Sequence, residues 1–185
     1  FWKRNIDEVK DLPFDVESRL IEEYCTPTTL CYLVRINVDK TKHVVYGYLT
    51  RPRAEGKYPV VLCPPGAGIK TIKEPMRHIY YAQNNFVRLE MEIHGLNPEI
   101  SNETFKEISN AFNAKNNGYL ENGLDNRDNY YMKHVYQGCY RAMDYLMSLD
   151  CWDGKNAAVQ GGSQGGALAI ITAALHPQVT LCVAN

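Results

Sequence analysis

Five residues carry the strongest chemical signal in the sequence: Gly161-Gly162-Ser163-Gln164-Gly165. They match G-x-S-x-G, a strand-to-helix turn that lifts a serine hydroxyl above a sheet so that it can attack an acyl carbon. The flanks fit that context. Ala157-Ala158-Val159 reads as a strand entering the turn, and the apolar run 164–175 reads as a buried helix leaving it. Glycines two places before and two places after the serine let strand and helix pass with no Cβ between them. The N–H of Gln164 falls at the helix start, where donors have no acceptor within the helix. It is therefore available to a developing oxyanion. A plain glycine-rich turn, with Ser163 only a cap, is the bland alternative. A dinucleotide turn would need G-x-G-x-x-G, which is not present.

A second glycine cluster, Pro64-Pro65-Gly66-Ala67-Gly68, follows the apolar run 58–63. In this kind of site the other oxyanion donor comes from such a loop, where glycines such as Gly66 let backbone N–H groups approach substrate. Gly68-Ile69-Lys70-Thr71 ends like a phosphate-binding loop, but Pro64 and Ile69 stand where that motif needs glycines.

A serine nucleophile needs a base and an acid, which in this architecture follow it in the sequence. Only His176 follows Ser163, and a helix beginning at the serine carries it roughly 20 Å away. No Asp or Glu follows Ser163. The expectation is that base and acid lie beyond residue 185. His94, at the carboxyl end of a strand, is a candidate to touch substrate. His43, His78 and His134 lack metal-ligand spacing and are assigned packing or surface roles, so neither a metal nor a cofactor is expected. Glu90 and Glu92 alternate with Leu89, Met91 and Ile93, which reads as one polar face of a partly covered sheet rather than an acid–base pair. Asp144, beside a helical apolar stripe, is assigned a structural role.

The elements that must position these groups are legible from periodicity. Residues 30–38 alternate as a strand, 39–42 form a polar turn, and 43–49 are a second β-rich run, so the pair reads as a hairpin. Residues before about 23 read as helical in patches. Strands are expected at 58–63, 86–93, 156–160 and 179–184. Helices are expected at 73–83, once within 97–117, and over 132–147. In the last of these, Met132, Val135, Tyr136, Cys139, Tyr140, Met143, Leu146 and Met147 make one apolar stripe. Asp125 and Asp128 are its candidate caps. Alternating strands and helices give an α/β fold with a mostly parallel sheet, whose chemistry collects at the carboxyl ends of the strands.

Composition agrees with an ordinary globular domain: 185 residues, 45% hydrophobic, 22% charged. A net charge of -1 excludes an electrostatic footprint for nucleic acid or an anionic membrane. No apolar run reaches the roughly 20 residues that span a bilayer. The six cysteines form no C-x-x-C pair and read as free thiols. The start has no signal-peptide pattern but is not Met, so the cytoplasm is favoured and export to the periplasm or medium stays open.

The sequence resembles the acetyl xylan esterase and cephalosporin C deacetylase family, the seventh group of carbohydrate esterases. The likeness covers nearly all of it. It is carried by Phe1-Trp2-Lys3, by the hairpin before Tyr58, by Gly118-Tyr119-Leu120-Glu121-Asn122-Gly123-Leu124, by Tyr130-Tyr131, by Tyr140-Arg141-Ala142-Met143-Asp144-Tyr145-Leu146, and by the elbow from Gly161 to Leu168. The resemblance implies an α/β-hydrolase fold, with residues 1–56 an extension containing the hairpin and 57–185 the first part of the hydrolase core, ending before its last strands. It implies a serine esterase that deacetylates xylo-oligosaccharides or similar small esters, without a metal, as a ring-shaped homo-oligomer. Ser163 takes the nucleophile's place, and the N–H groups of Gln164 and Ala67 take the oxyanion donors' places. The sequence departs from the family at His94-Gly95-Leu96, where the family has Arg-Gly-Gln, and at Pro65-Gly66-Ala67-Gly68, where it has His-Gly-Tyr-Gly. A serine peptidase, a dienelactone-type hydrolase and a non-catalytic relative remain open beside the esterase.

Overall fold

The structure, a computed structural model, describes residues 1–114 and 118–185. Its framework is one seven-stranded sheet in the order β1-β2-β3-β5-β4-β6-β7. The strands are β1 (Glu17–Leu20), β2 (Thr29–Asn37), β3 (Val44–Pro52), β4 (Tyr58–Cys63), β5 (Val87–Met91), β6 (Trp152–Gly161) and β7 (Leu181–Ala184). The sheet is mixed. β1, β2 and β3 run antiparallel to their neighbours, and β3 is hydrogen-bonded to β5. From β5 through β4 and β6 to β7 every pairing is parallel. The expected hairpin is β2–β3, and through β3 it extends the parallel part of the sheet directly.

Five α-helices are described: α1 (Trp2–Asp7), α2 (Tyr80–Gln83), α3 (Asn102–Ala114), α4 (Tyr131–Ser148) and α5 (Gln164–Leu175). The stripe on α4 packs on the sheet: Met132, Val135, Cys139, Met143 and Leu146 join Val34, Ile36, Val60, Leu62, Leu89 and Val159 in the main core. The opposite face of α4 is covered too, which a single stripe does not predict. Arg141 is fully buried and donates to the carbonyls of Leu12 (2.6 Å) and Pro13 (3.0 Å), while Gln137 donates to Asn5 O (2.9 Å). These polar groups lie inside because the N-terminal segment supplies backbone acceptors to them.

Several local expectations are corrected. Residues 17–20 form the exposed edge strand β1 rather than a helical patch. The helix expected over 73–83 breaks into a 3-10 turn, Pro75–His78, and the single turn α2. Asp125 and Asp128 do not cap α4: its N-cap is Tyr130, with no side-chain capping bond, and Asp128 pairs with Arg4. The helix expected within 97–117 is α3, and residues 115–117 of that stretch lie outside the described residues. α5 is apolar but not buried all round, because Ile170 is 58% exposed. Among the described residues β7 is the sheet edge on that side, and its own Leu181 and Val183 are exposed as well. A second small core on the other face of the hairpin, Ile21, Cys31, Leu33 and Tyr48, was not anticipated.

Candidate active site

β6 leads into the turn at Ser163 and α5 leaves it. Ser163 has φ 55° and ψ -125°, a left-handed conformation that a side-chain-bearing residue holds at a cost of about 1–3 kcal/mol. Ser163 occupies the N-cap position of α5, yet its side chain makes no capping hydrogen bond, so the hydroxyl is exposed and uncommitted. Its own N–H is held by Asn185 O at 2.8 Å. The flanking glycines are a steric requirement. A Cβ on Gly161 would lie 2.2 Å from Gly165 O, and one on Gly165 would lie 2.6 Å from Pro64 O.

The second contact of Gly165 shows where the 64–68 loop runs: along the elbow, with Gly66 Cα facing Gly162 O. Tyr119 locks the two together. Its hydroxyl accepts from Gly68 N–H at 2.9 Å and donates to Gln164 Oε1 at 2.7 Å. With the Gly68 N–H committed, the N–H of Ala67 is the neighbouring donor on that loop. Gln164 is the first residue of α5, so its N–H has no intrahelical acceptor.

His94 sits behind this loop. Its Nε2 is 3.3 Å from Gly68 O and its Nδ1 is 2.7 Å from Tyr131 Oη. A carbonyl only accepts, so Nε2 carries the proton and Nδ1 accepts from the tyrosine. Burial pushes the imidazole down to about 4, in keeping with this neutral form. The rings of Phe112, Tyr119 and Tyr131 surround it. Glu92, 2% exposed, anchors the His94–Leu96 loop by accepting the N–H groups of His94 (2.6 Å), Leu96 (3.1 Å) and Tyr46 (2.8 Å). Burial raises its carboxyl to about 7, against the pull of those donors. Glu90 instead accepts from Arg88 at 2.8 Å. The two glutamates thus share a sheet face without facing each other as an acid–base pair.

A cavity of about 600 Å³ opens beside the elbow, lined by Gly66, Arg88, Gln160, Gly161 and Gly162 among others. Ser163 is not on its wall. His176 is buried at the far end of α5, donating from Nε2 to Asp144 Oδ1 at 2.8 Å. It resembles a catalytic His–Asp pair in composition only, since the helix holds it away from Ser163. All six cysteines are free. The sequence alone did not single out Tyr119 and Tyr131 as parts of the site. Their only signal there was membership of the family-like blocks.

The sequence pattern of the acetyl xylan esterase family matches residues 1–185. The chain belongs to the acetyl xylan esterase family. It is 64% identical over 185 residues to the acetyl esterase Axe7A of Xylanibacter ruminicola, covering 100% of this chain and 42% of that protein. It therefore spans about two-fifths of the length of that curated relative. Among solved structures, an acetyl xylan esterase from Paenibacillus sp. R4 superposes with a TM-score of 0.79 at 22% identity, over 97% of this chain and 55% of the other. Acetyl xylan esterase 1 from Thermoanaerobacterium sp. JW/SL YS485 gives 0.80 at 21% identity, over 96% and 54%. These likenesses establish the α/β-hydrolase fold. No helix among the described residues is long and apolar enough to cross a membrane.

Proposed function

We propose that Ser163 is the nucleophile of a serine carboxylic-ester hydrolase that removes acetyl groups from acetylated xylo-oligosaccharides or similar small esters. The observation that carries this is the left-handed Ser163 at the head of α5, its hydroxyl free of any capping bond. Attack on the ester carbon would place the carbonyl oxygen against the N–H groups of Gln164 and Ala67, with Gly66 leaving room for the acyl group. His94 acts from behind, holding the Gly68 carbonyl and so the loop. The names of the relatives supply the acetyl and xylan part of this reading.

On this reading the base and acid of the triad are not assigned among these 185 residues. No Asp or Glu follows Ser163, and His176 is engaged by Asp144. The exposed apolar edge of Ile170, Leu181 and Val183 supports further chain packing there. The expected homo-oligomer also belongs to the whole protein, where light scattering measures it. The decisive test uses that whole protein. A fluorophosphonate probe should label it at Ser163, and Ser163→Ala should lower kcat on acetylated xylo-oligosaccharide by on the order of 10⁴–10⁶-fold. Unchanged deacetylation by the variant would sink the proposal. Labelling together with turnover of peptides rather than acetyl esters would move the reaction to a peptidase.

A further inference from the structure

Beside a hollow that His94 also lines, the fold gathers three side chains that no sequence spacing links as ligands. Asp39 and His43 belong to the turn between β2 and β3, and His134 lies in the first turn of α4. One ligand atom from each lies within 4.8 Å of the other two. Asp39 Oδ2 is 2.7 Å from His43 Nδ1 and 3.2 Å from His134 Nδ1. The two imidazole rings lie side by side, 4.2 Å between centroids and 33° between planes. The other carboxylate oxygen, Oδ1, is held by the N–H of Thr41 (2.8 Å), the hydroxyl of Thr41 (2.7 Å) and the N–H of His43 (3.3 Å). Asp39 is thereby fixed with Oδ2 turned to both imidazoles, the kind of outer hydrogen bonding that orients a metal-ligating carboxylate.

We propose that Asp39, His43 and His134 form a site for a divalent transition-metal ion of the zinc class. Two imidazoles and one carboxylate are the donor set that zinc and cobalt favour, with solvent completing the shell. In a tetrahedral shell with bonds of roughly 2.0–2.2 Å, neighbouring ligand atoms stand about 3.3 Å apart. The His134–Asp39 separation already matches, and the His43 pair needs to open by about half an ångström. That is a small rotation for a half-exposed ring on a turn. Magnesium and calcium are disfavoured, because they take oxygen ligands and two of the three donors here are imidazole nitrogens. The ion would clamp the β2–β3 turn to α4, three residues from Tyr131, which bonds His94. This inference stands independently of the esterase proposal.

The test is titration of the chelator-treated whole protein with Zn²⁺, and with Co²⁺ as a spectroscopic probe. One site per chain is expected, with cobalt ligand-field bands and no thiolate charge-transfer band. His134→Gln and His43→Gln should each weaken binding at least about tenfold. Metal should raise the melting temperature of the wild type and not that of the His43→Gln/His134→Gln double variant. His43 is half-exposed on a turn, so its single variant keeps the test valid if the helix variant fails to fold. Absence of binding, a thiolate band, or equal affinity in His43→Gln would overturn the proposal.

Discussion

Tyr119 joins two backbone segments that an oxyanion hole needs at a fixed separation, through one hydroxyl that accepts from Gly68 and donates to Gln164. Tyr119→Phe removes both bonds and leaves two polar groups near the site without partners, at a cost of about 1–3 kcal/mol each where water cannot replace the hydroxyl. In the whole protein the expected outcome is a fall in kcat of roughly tenfold or more with KM little changed, since the donors matter most in the transition state. Steady-state kinetics checks this, and a lowered melting temperature with intact kcat would make Tyr119 merely structural. His94 and Glu92 carry a linked pH prediction. The folded His94 titrates at about 4, below its ordinary 6.5. The unfolded chain therefore takes up a proton first, and stability from this group is lost as pH falls from about 6.5 to about 4. Glu92 is raised from 4.5 to about 7, so its contribution is lost as pH rises across that window. The slopes oppose each other. Denaturation at pH 4.5, 5.5 and 6.5 should show that His94→Gln loses stability with rising pH, relative to wild type, by about 2 kcal/mol. Parallel curves would refute the assignment.

At the scale of elements, the elbow is a matter of how closely β6, α5 and the 64–68 loop approach. Gly161 and Gly162 look equivalent in sequence but differ in space. A Cβ on Gly161 would strike the Gly165 backbone, whereas one on Gly162 meets nothing within 4 Å. Gly161→Ala is expected to destabilise by about 3 kcal/mol or more, at the upper end of overpacking costs, and Gly162→Ala to stay within about 1 kcal/mol of wild type. Chemical denaturation of the two variants side by side decides it. Periodicity did well with elements of this kind. The hairpin, the parallel strands and α4 were all legible, because each carries its own apolar pattern. It failed on α5, where apolarity was read as burial. Burial requires a partner, and among the described residues nothing covers Ile170.

For the whole molecule, the sheet divides the labour. Its antiparallel half extends the core, and its parallel half brings the 64–68 loop, the His94 loop and Ser163 to one edge. The N-terminal segment is part of that scaffold, because the buried Arg141 and Gln137 donate to its carbonyls. On the proposal above, the chain contains a nucleophile and its oxyanion donors, and among the described residues no base is hydrogen-bonded to the Ser163 hydroxyl. Residues 1–185 alone are therefore expected to hydrolyse p-nitrophenyl acetate no faster than their Ser163→Ala variant. Enzyme-like turnover abolished by that substitution would show that the base is already present.

The sequence by itself determined the elbow, the hairpin, the parallel strands, the long helix α4 and the family, because each rests on residues adjacent in the chain or on a repeat of fixed period. Only the tertiary structure decided which distant groups meet. Tyr119 bonds partners 51 and 45 residues away, Asp39 meets His134 across 95 residues, and His176 finds Asp144 across 32. No local pattern encodes such pairs. They follow from the sheet order and from which face of each helix is turned inward, and those are settled only when the whole core packs.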